Sequence, residues 1–136
     1  MYAAWNGYEK VIEILLNCKE IDINAKDMSG DTALMKAAHC GRKKVVELLI
    51  NIQETNINAK TNAGWTALMF AVYSNHLEVI KVFLSTSSID VNAKTNFGET
   101  VLDVAIRQKS SLEIIKLLVS NGTKRGIPKK NRRMST

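Results

Sequence analysis

A single phrase is written three times at a fixed interval of 34 residues: Gly30-Asp31-Thr32-Ala33-Leu34-Met35, Gly64-Trp65-Thr66-Ala67-Leu68-Met69 and Gly98-Glu99-Thr100-Val101-Leu102-Asp103. A second phrase keeps the same beat, Ile23-Asn24-Ala25-Lys26, Ile57-Asn58-Ala59-Lys60 and Val91-Asn92-Ala93-Lys94. What recurs is therefore a whole structural unit and not a short motif. The chain is a repeat array, and its function is expected on a surface.

Within one period the pattern predicts two short helices and a turn. Thr32 is a hydroxyl residue suited to cap a helix, and the run Ala33 to Cys40 has helical spacing and stops at Gly41, which can adopt positive φ. In the second helix, Lys43 to Ile50, charge is confined to Lys43, Lys44 and Glu47, which predicts burial along most of its circumference. Isolated helices below roughly 12 residues are marginal in water. Neither helix can persist unless it packs on its neighbours, so the stack is the folding unit. The expected core joins Leu34, Leu68 and Leu102, Ala37, Ala71 and Ala105, and Val45, Leu49, Val79, Phe83, Ile114 and Leu118.

Between helix pairs lie polar stretches such as Asn58-Ala59-Lys60-Thr61-Asn62-Ala63-Gly64, which read as tight β-type turns projecting from the helices. A turn with Gly, then Thr-x-Leu, paired small residues, a Gly between helices, Val-x-x-Leu-Leu and finally Asn resembles the ankyrin repeat, here extended by one residue to 34. The resemblance covers residues 2 to about 123. It implies an all-α solenoid of stacked antiparallel helix pairs joined by projecting β-turn loops. It also implies an interaction module or scaffold that binds a protein partner through its concave turn and inner-helix face.

The chain departs from the family pattern in informative places. Thr-Ala-Leu-Met and Thr-Val-Leu-Asp stand where Thr-Pro-Leu-His is usual, and the one proline, Pro128, lies outside the array. Proline at the first helical position fixes φ at no hydrogen-bond cost, so its loss lowers the stability of each unit slightly without changing the fold. The family's Gly-Ala-Asp after the second helix becomes longer loops, such as Gln53-Glu54-Thr55-Asn56, while Ser120-Asn121-Gly122 restores the glycine in the last unit. That last unit also has an extra residue in the inter-helix turn around Gln108-Lys109-Ser110-Ser111.

At the start, Ala3-Ala4, Gly7, Val11 and Leu15 fall in register with Ala37-Ala38, Gly41, Val45 and Leu49, so the array begins mid-unit. We expect a fragment of a longer protein, because terminal repeats need a polar outer face. The units are then 1–26 (truncated), 27–60, 61–94 and 95–123 (terminal), followed by a disordered basic tail, 124–136.

The net charge of +6 is located in that tail, in Lys124, Arg125, Lys129, Lys130, Arg132 and Arg133. The array before it is neutral. With almost no apolar content the tail is expected to be a flexible extension. It could serve nuclear targeting through Lys129-Lys130-Asn131-Arg132-Arg133, or contact nucleic acid or anionic lipid. Cys18 and Cys40 have no paired spacing, which argues against a disulfide framework. No stretch approaches a membrane span of ~18 apolar residues, and the first residues lack the regions of a signal peptide. The expected location is the cytoplasm, with the nucleus as the alternative that the basic tail allows.

His39 and Cys40 are adjacent, about 100° apart on a helix, and do not form a nucleophile and base pair. His76 falls in an inter-helix turn, where histidine supports the turn. There is no glycine-rich phosphate cradle, no convergent carboxylate pair and no zinc-ligand spacing, so no enzyme activity, cofactor, metal or small-molecule substrate is expected. Two functions remain: a protein-interaction module, expected to be a monomer, and a basic-tailed adaptor whose tail makes the primary contact.

Positions that vary between units without disturbing the core are free to be specific. In the turns these are Met28, Asp31, Asn62, Trp65, Asn96, Phe97 and Glu99, and at the first-helix ends Trp5, His39, Tyr73 and Arg107. The family resemblance implies partner binding at these positions. Aromatic residues suit such a role because they bury much area for little lost freedom. Lys26, Lys60 and Lys94 form a further column at the turn bases, which could select an acidic partner.

Overall fold

Thr32, Thr66 and Thr100 each start a helix for the same reason. With extended backbones at the N-cap, their hydroxyls accept the N–H of Met35 (3.3 Å), Met69 (3.4 Å) and Asp103 (3.4 Å), satisfying a donor that the helix cannot pair internally. The computed structural model describes residues 22–126. Among them lie α1 (Ala33–His39), α2 (Lys43–Ile50), α3 (Ala67–Tyr73), α4 (Leu77–Leu84), α5 (Val101–Arg107) and α6 (Leu112–Ser120). The described part is all-α.

Each inner helix packs on the outer helix that follows it, α1 on α2, α3 on α4 and α5 on α6. Successive inner helices stack α1 to α3 to α5, and α2 lies against α4. Every core residue expected from the repeat is buried, in one continuous cluster. The outer helix α2 is less enclosed than its sequence suggests, with Leu48 and Ile50 only half-buried.

The hinge within each pair repeats as well. Gly41, Asn75 and Lys109, one period apart, all have positive φ (70°, 63° and 54°), and the next residue's N–H closes the turn onto Ala37, Ala71 or Ala105. The extra residue in the last unit enters just after this turn. The outer helix there starts one residue late, capped by Ser111, whose hydroxyl accepts the Ile114 N–H at 3.4 Å.

Two polar columns tie one unit to the next. The Asn24 side chain donates to the Glu54 carbonyl (2.7 Å) and accepts from the Asn56 N–H (2.7 Å). Asn58 does the same with Ser88 and Asp90 (both 2.8 Å), and Asn92 with Gly122 (3.3 Å) and Lys124 (2.9 Å). The lysine column has a similar role: the Lys26 ammonium donates to the Lys60 carbonyl (2.9 Å), and the Lys60 ammonium to that of Lys94 (3.1 Å). Lys26 and Lys60 thus join successive turns.

The first residues of the basic tail are also held. The Thr100 hydroxyl lies 2.6 Å from the Lys124 carbonyl, and the Gly126 N–H donates to Asp103 Oδ2 (2.7 Å). Arg125 Nε donates to Asp103 Oδ1 (2.7 Å). Residues 124–126 are therefore tied to the last unit, where a buried carboxylate supplies the partner that apolar content does not. The units' remaining segments, 1–21 with Trp5 and 127–136, lie outside the described residues.

Ala71 tests the packing. It sits on α3 in the middle of the stack with 0% exposure. Ala71→Leu should cost about 1–3 kcal/mol by overpacking, read as a lowered thermal midpoint. An unchanged midpoint would mean that the neighbouring helices do not meet there.

Candidate functional site

Each turn is built so that its last residue leans onto the inner helix that follows. The N–H of Gly30, Gly64 or Gly98 donates to the carbonyl three residues earlier (each 2.9 Å), closing a β-turn. The residue opening each turn caps it with its side chain: Asp27 accepts from Ser29 and Asp31, Thr61 from Ala63 and Trp65, Thr95 from Phe97 and Glu99. Asp31, Trp65 and Glu99 are thereby placed in one column beside the helices. The residues five and eight positions on complete a small cluster per unit.

The three clusters differ in chemistry. In the first, Lys36 pairs with Asp27 (3.2 Å) and Asp31 (3.4 Å). Burial disfavours the Lys36 charge, but the two carboxylates outweigh it and raise its pKa. The Asp31 N–H, against a smaller effect of burial and with help from Lys36 and the Ser29 N–H, holds the Asp27 carboxyl below its usual value. In the second cluster, Trp65 lies against Phe70 (ring centroids 5.4 Å apart) and edge-on to Tyr73 (5.7 Å). In the third, Arg107 donates to both Glu99 oxygens, Nε at 2.9 Å and Nη2 at 3.4 Å. An aromatic platform thus sits between two charge-paired clusters.

A half-open cleft of about 150 Å³ lies beside the platform, lined by Asp31, Met35, Lys36, His39 and Phe70. His39 forms its far wall, with its ring edge-on to Phe70 (5.7 Å) and its Nδ1 3.1 Å from the Ser74 hydroxyl. His76 has the supporting role expected of it: its Nε2 meets the His39 carbonyl at 3.0 Å, and its ring fills the space beside Gly41.

The structure therefore brings Asp31, His39, Trp65, Tyr73, Glu99 and Arg107 onto one face. Asn62 and Asn96 lie apart from it. Their amides donate to the carbonyls of Met28 (2.9 Å) and Asn62 (2.8 Å), linking one turn tip to the next. The Met28 and Phe97 side chains stand exposed at the tips. Sequence reasoning missed Lys36 and Phe70. They vary at one register position, with Val104 third, and that variation was the available signal.

A stack of helix pairs that carries its variable residues on turns and inner helices defines a class, the helical-repeat interaction proteins. The chain matches the family model described as "Ankyrin repeats (3 copies)" over residues 1–95 and 52–129. It belongs to the ankyrin repeat family. It is also 45% identical over 38 residues to the photoreceptor ankyrin repeat protein of Homo sapiens. That alignment covers 28% of this chain and 8% of the relative's length. Ankyrin repeats are generally protein–protein interaction modules. No helix among the described residues is long and apolar enough to cross a membrane.

Proposed function

We propose that this chain binds a protein partner on the face made by its turns and inner helices, with Trp65, Phe70 and Tyr73 as the anchor. The observation that supports this reading is the aromatic platform itself: three rings in one unit, with Tyr73 exposed and Trp65 half-buried beside it. Interface hot spots are enriched in Trp and Tyr, and a ring already held by its neighbours loses little freedom on binding. Around the platform, Asp31, Lys36 and His39 on one side and Glu99 and Arg107 on the other form a polar rim. Phe97 and Met28 extend the apolar contact to the turn tips.

A tail-led adaptor is less well supported. Arg125 is paired with Asp103, so one of the six tail cations is committed to the fold. The two functions differ in salt dependence, because phosphate-driven binding weakens steeply with salt.

A partner recovered by affinity capture should stay bound at high salt and after removal of residues 127–136. Trp65→Ala should weaken it by about 2 kcal/mol, the scale of a hot spot. Because Trp65 also packs on Phe70 and the core, Tyr73→Ala serves as the companion variant that leaves the fold intact. If both variants bind normally, or if binding disappears with the tail, the platform is not the anchor.

A further inference from the structure

Two rings of the platform carry a hydrogen-bond donor that the fold leaves unused. Neither the Trp65 indole N–H nor the Tyr73 hydroxyl bonds to another described residue. Among the described residues the buried side-chain polar atom without a partner is that of Thr123, so the indole nitrogen stands at the solvent surface. The carboxylates on either side are committed to cations, Asp31 to Lys36 (3.4 Å) and Glu99 to Arg107 (2.9 Å). The middle unit thus presents aromatic faces with two spare donors.

That combination selects among the ways a peptide can dock. A bound strand needs a sheet edge to extend, and the described residues form helices and turns. A bound helix spends its carbonyls on its own ladder and offers none to the two donors. A proline-rich segment in the polyproline II conformation has every carbonyl free, and its prolines bring no N–H that would ask the platform for an acceptor. Two rings meeting at 81° with centroids 5.7 Å apart offer it the aromatic groove that such segments use.

We propose that the platform takes a proline-rich segment of the partner in this conformation, with a basic residue beside the prolines seated at the cleft. The proposal rests on the platform being the anchor of the partner-binding face. One turn of polyproline II spans about 9 Å, close to the spacing of neighbouring helices. With prolines on Trp65 and Tyr73, a residue one turn away reaches the cluster of the adjoining unit. There, Asp27 and Asp31 set two carboxylates against the one ammonium of Lys36, and Asp27 is held ionised by the Asp31 N–H. An arginine or lysine fits that balance, its stem along Met35 and Phe70 and its charge at Asp31.

A synthetic proline decapeptide flanked by arginines, titrated into the isotope-labelled full chain, tests this through the Trp65 indole N–H resonance. At about 0.15 M salt, charges farther away than about 8 Å are largely screened. The peptide should bind with a Kd of roughly 1 mM or better and move that resonance. Tyr73→Ala should weaken it at least tenfold. Trp65→Phe keeps a ring and removes the N–H, and should weaken binding about fivefold, the scale of one hydrogen bond. Glutamates in place of the arginines should weaken it about threefold. The proposal is overturned if the peptide does not bind, if a glycine–serine decapeptide with the same arginines binds as tightly, or if both folded variants bind like wild type. Equal binding of the glutamate-flanked peptide overturns the seat for the basic residue. A captured partner that still needs Tyr73 when the proline peptide fails leaves the platform as the anchor and removes only its assigned occupant.

Discussion

Gly64→Ala is expected to destabilise the chain by about 2–4 kcal/mol, while Gly122→Ala loses only about 1–2. Both glycines have nearly the same backbone, φ +86° and +85°, so each alanine meets the same penalty for left-handed geometry. Their surroundings differ. A Cβ on Gly64 lies 2.7 Å from the Asn96 backbone nitrogen and 2.8 Å from its side-chain oxygen, whereas a Cβ on Gly122 meets nothing within 4 Å. The nearest atom belongs to backbone that donates to the Ala63 carbonyl (3.0 Å), so it cannot move aside without losing the bond between turns. The thermal midpoint should fall on the order of 10 °C for Gly64→Ala and less than half as far for Gly122→Ala. Equal falls in the two variants would show that the turns do not approach each other closely at Gly64.

The contrast also marks how far the fold can be read from sequence. Leu34, Leu68 and Leu102, or Ala37, Ala71 and Ala105, are legible because a buried position tolerates only a narrow range of volumes, and the same answer recurs every 34 residues. Polar residues do not announce their partners. Asn24, Asn58 and Asn92 read as turn composition, yet each bridges two units through both ends of its amide. Asn62 and Asn96 look variable beside Met28, but what they bond is a main-chain carbonyl, which any residue provides. The aromatic platform was half legible. Trp65 and Tyr73 stand out as large residues at variable positions, while Phe70 lies inside an apolar helix, where nothing in the sequence says that the turn folds over it. The pairing of Glu99 with Arg107 was hidden for the opposite reason. Each was noted, but nothing in the sequence says that a turn residue reaches the helix end eight positions on.

Asp103 holds the least legible contact, and removing it should be among the costliest changes. Its register mates are Met35 and Met69, so by pattern it is a core position occupied by a charge. With 4% exposure it accepts from the Thr100 N–H (3.0 Å), the Gly126 N–H (2.7 Å) and Arg125 Nε (2.7 Å). Burial alone would raise its pKa, but the Thr100 N–H, the Arg125 guanidinium, the Gly126 N–H and the Thr100 hydroxyl together outweigh it and hold the carboxyl below the usual value. Asp103→Ala removes a helix cap of about 1 kcal/mol and charge-assisted bonds of about 1.5–3 each, offset where Arg125 simply returns to water; about 2–4 kcal/mol is the expected net loss. Asp103→Met separates the parts. In α1 the sulfur of Met35 lies 3.3 Å from the Thr32 N–H, so methionine restores the cap that the first of these helices uses and leaves only the anchoring of residues 124–126 missing. Because the folded pKa is depressed, the advantage of wild type over Asp103→Met is fully present above the unfolded value of about 3.9 and fades as pH falls through the lower value of the folded chain. Urea unfolding at neutral pH and at decreasing acid pH reads that difference, and hydrogen exchange at the Gly126 amide reads the anchor directly. A constant gap between the two proteins across the acid range, or a Gly126 amide equally protected in both, would show that the buried carboxylate does not tie the chain's last described residues to the stack.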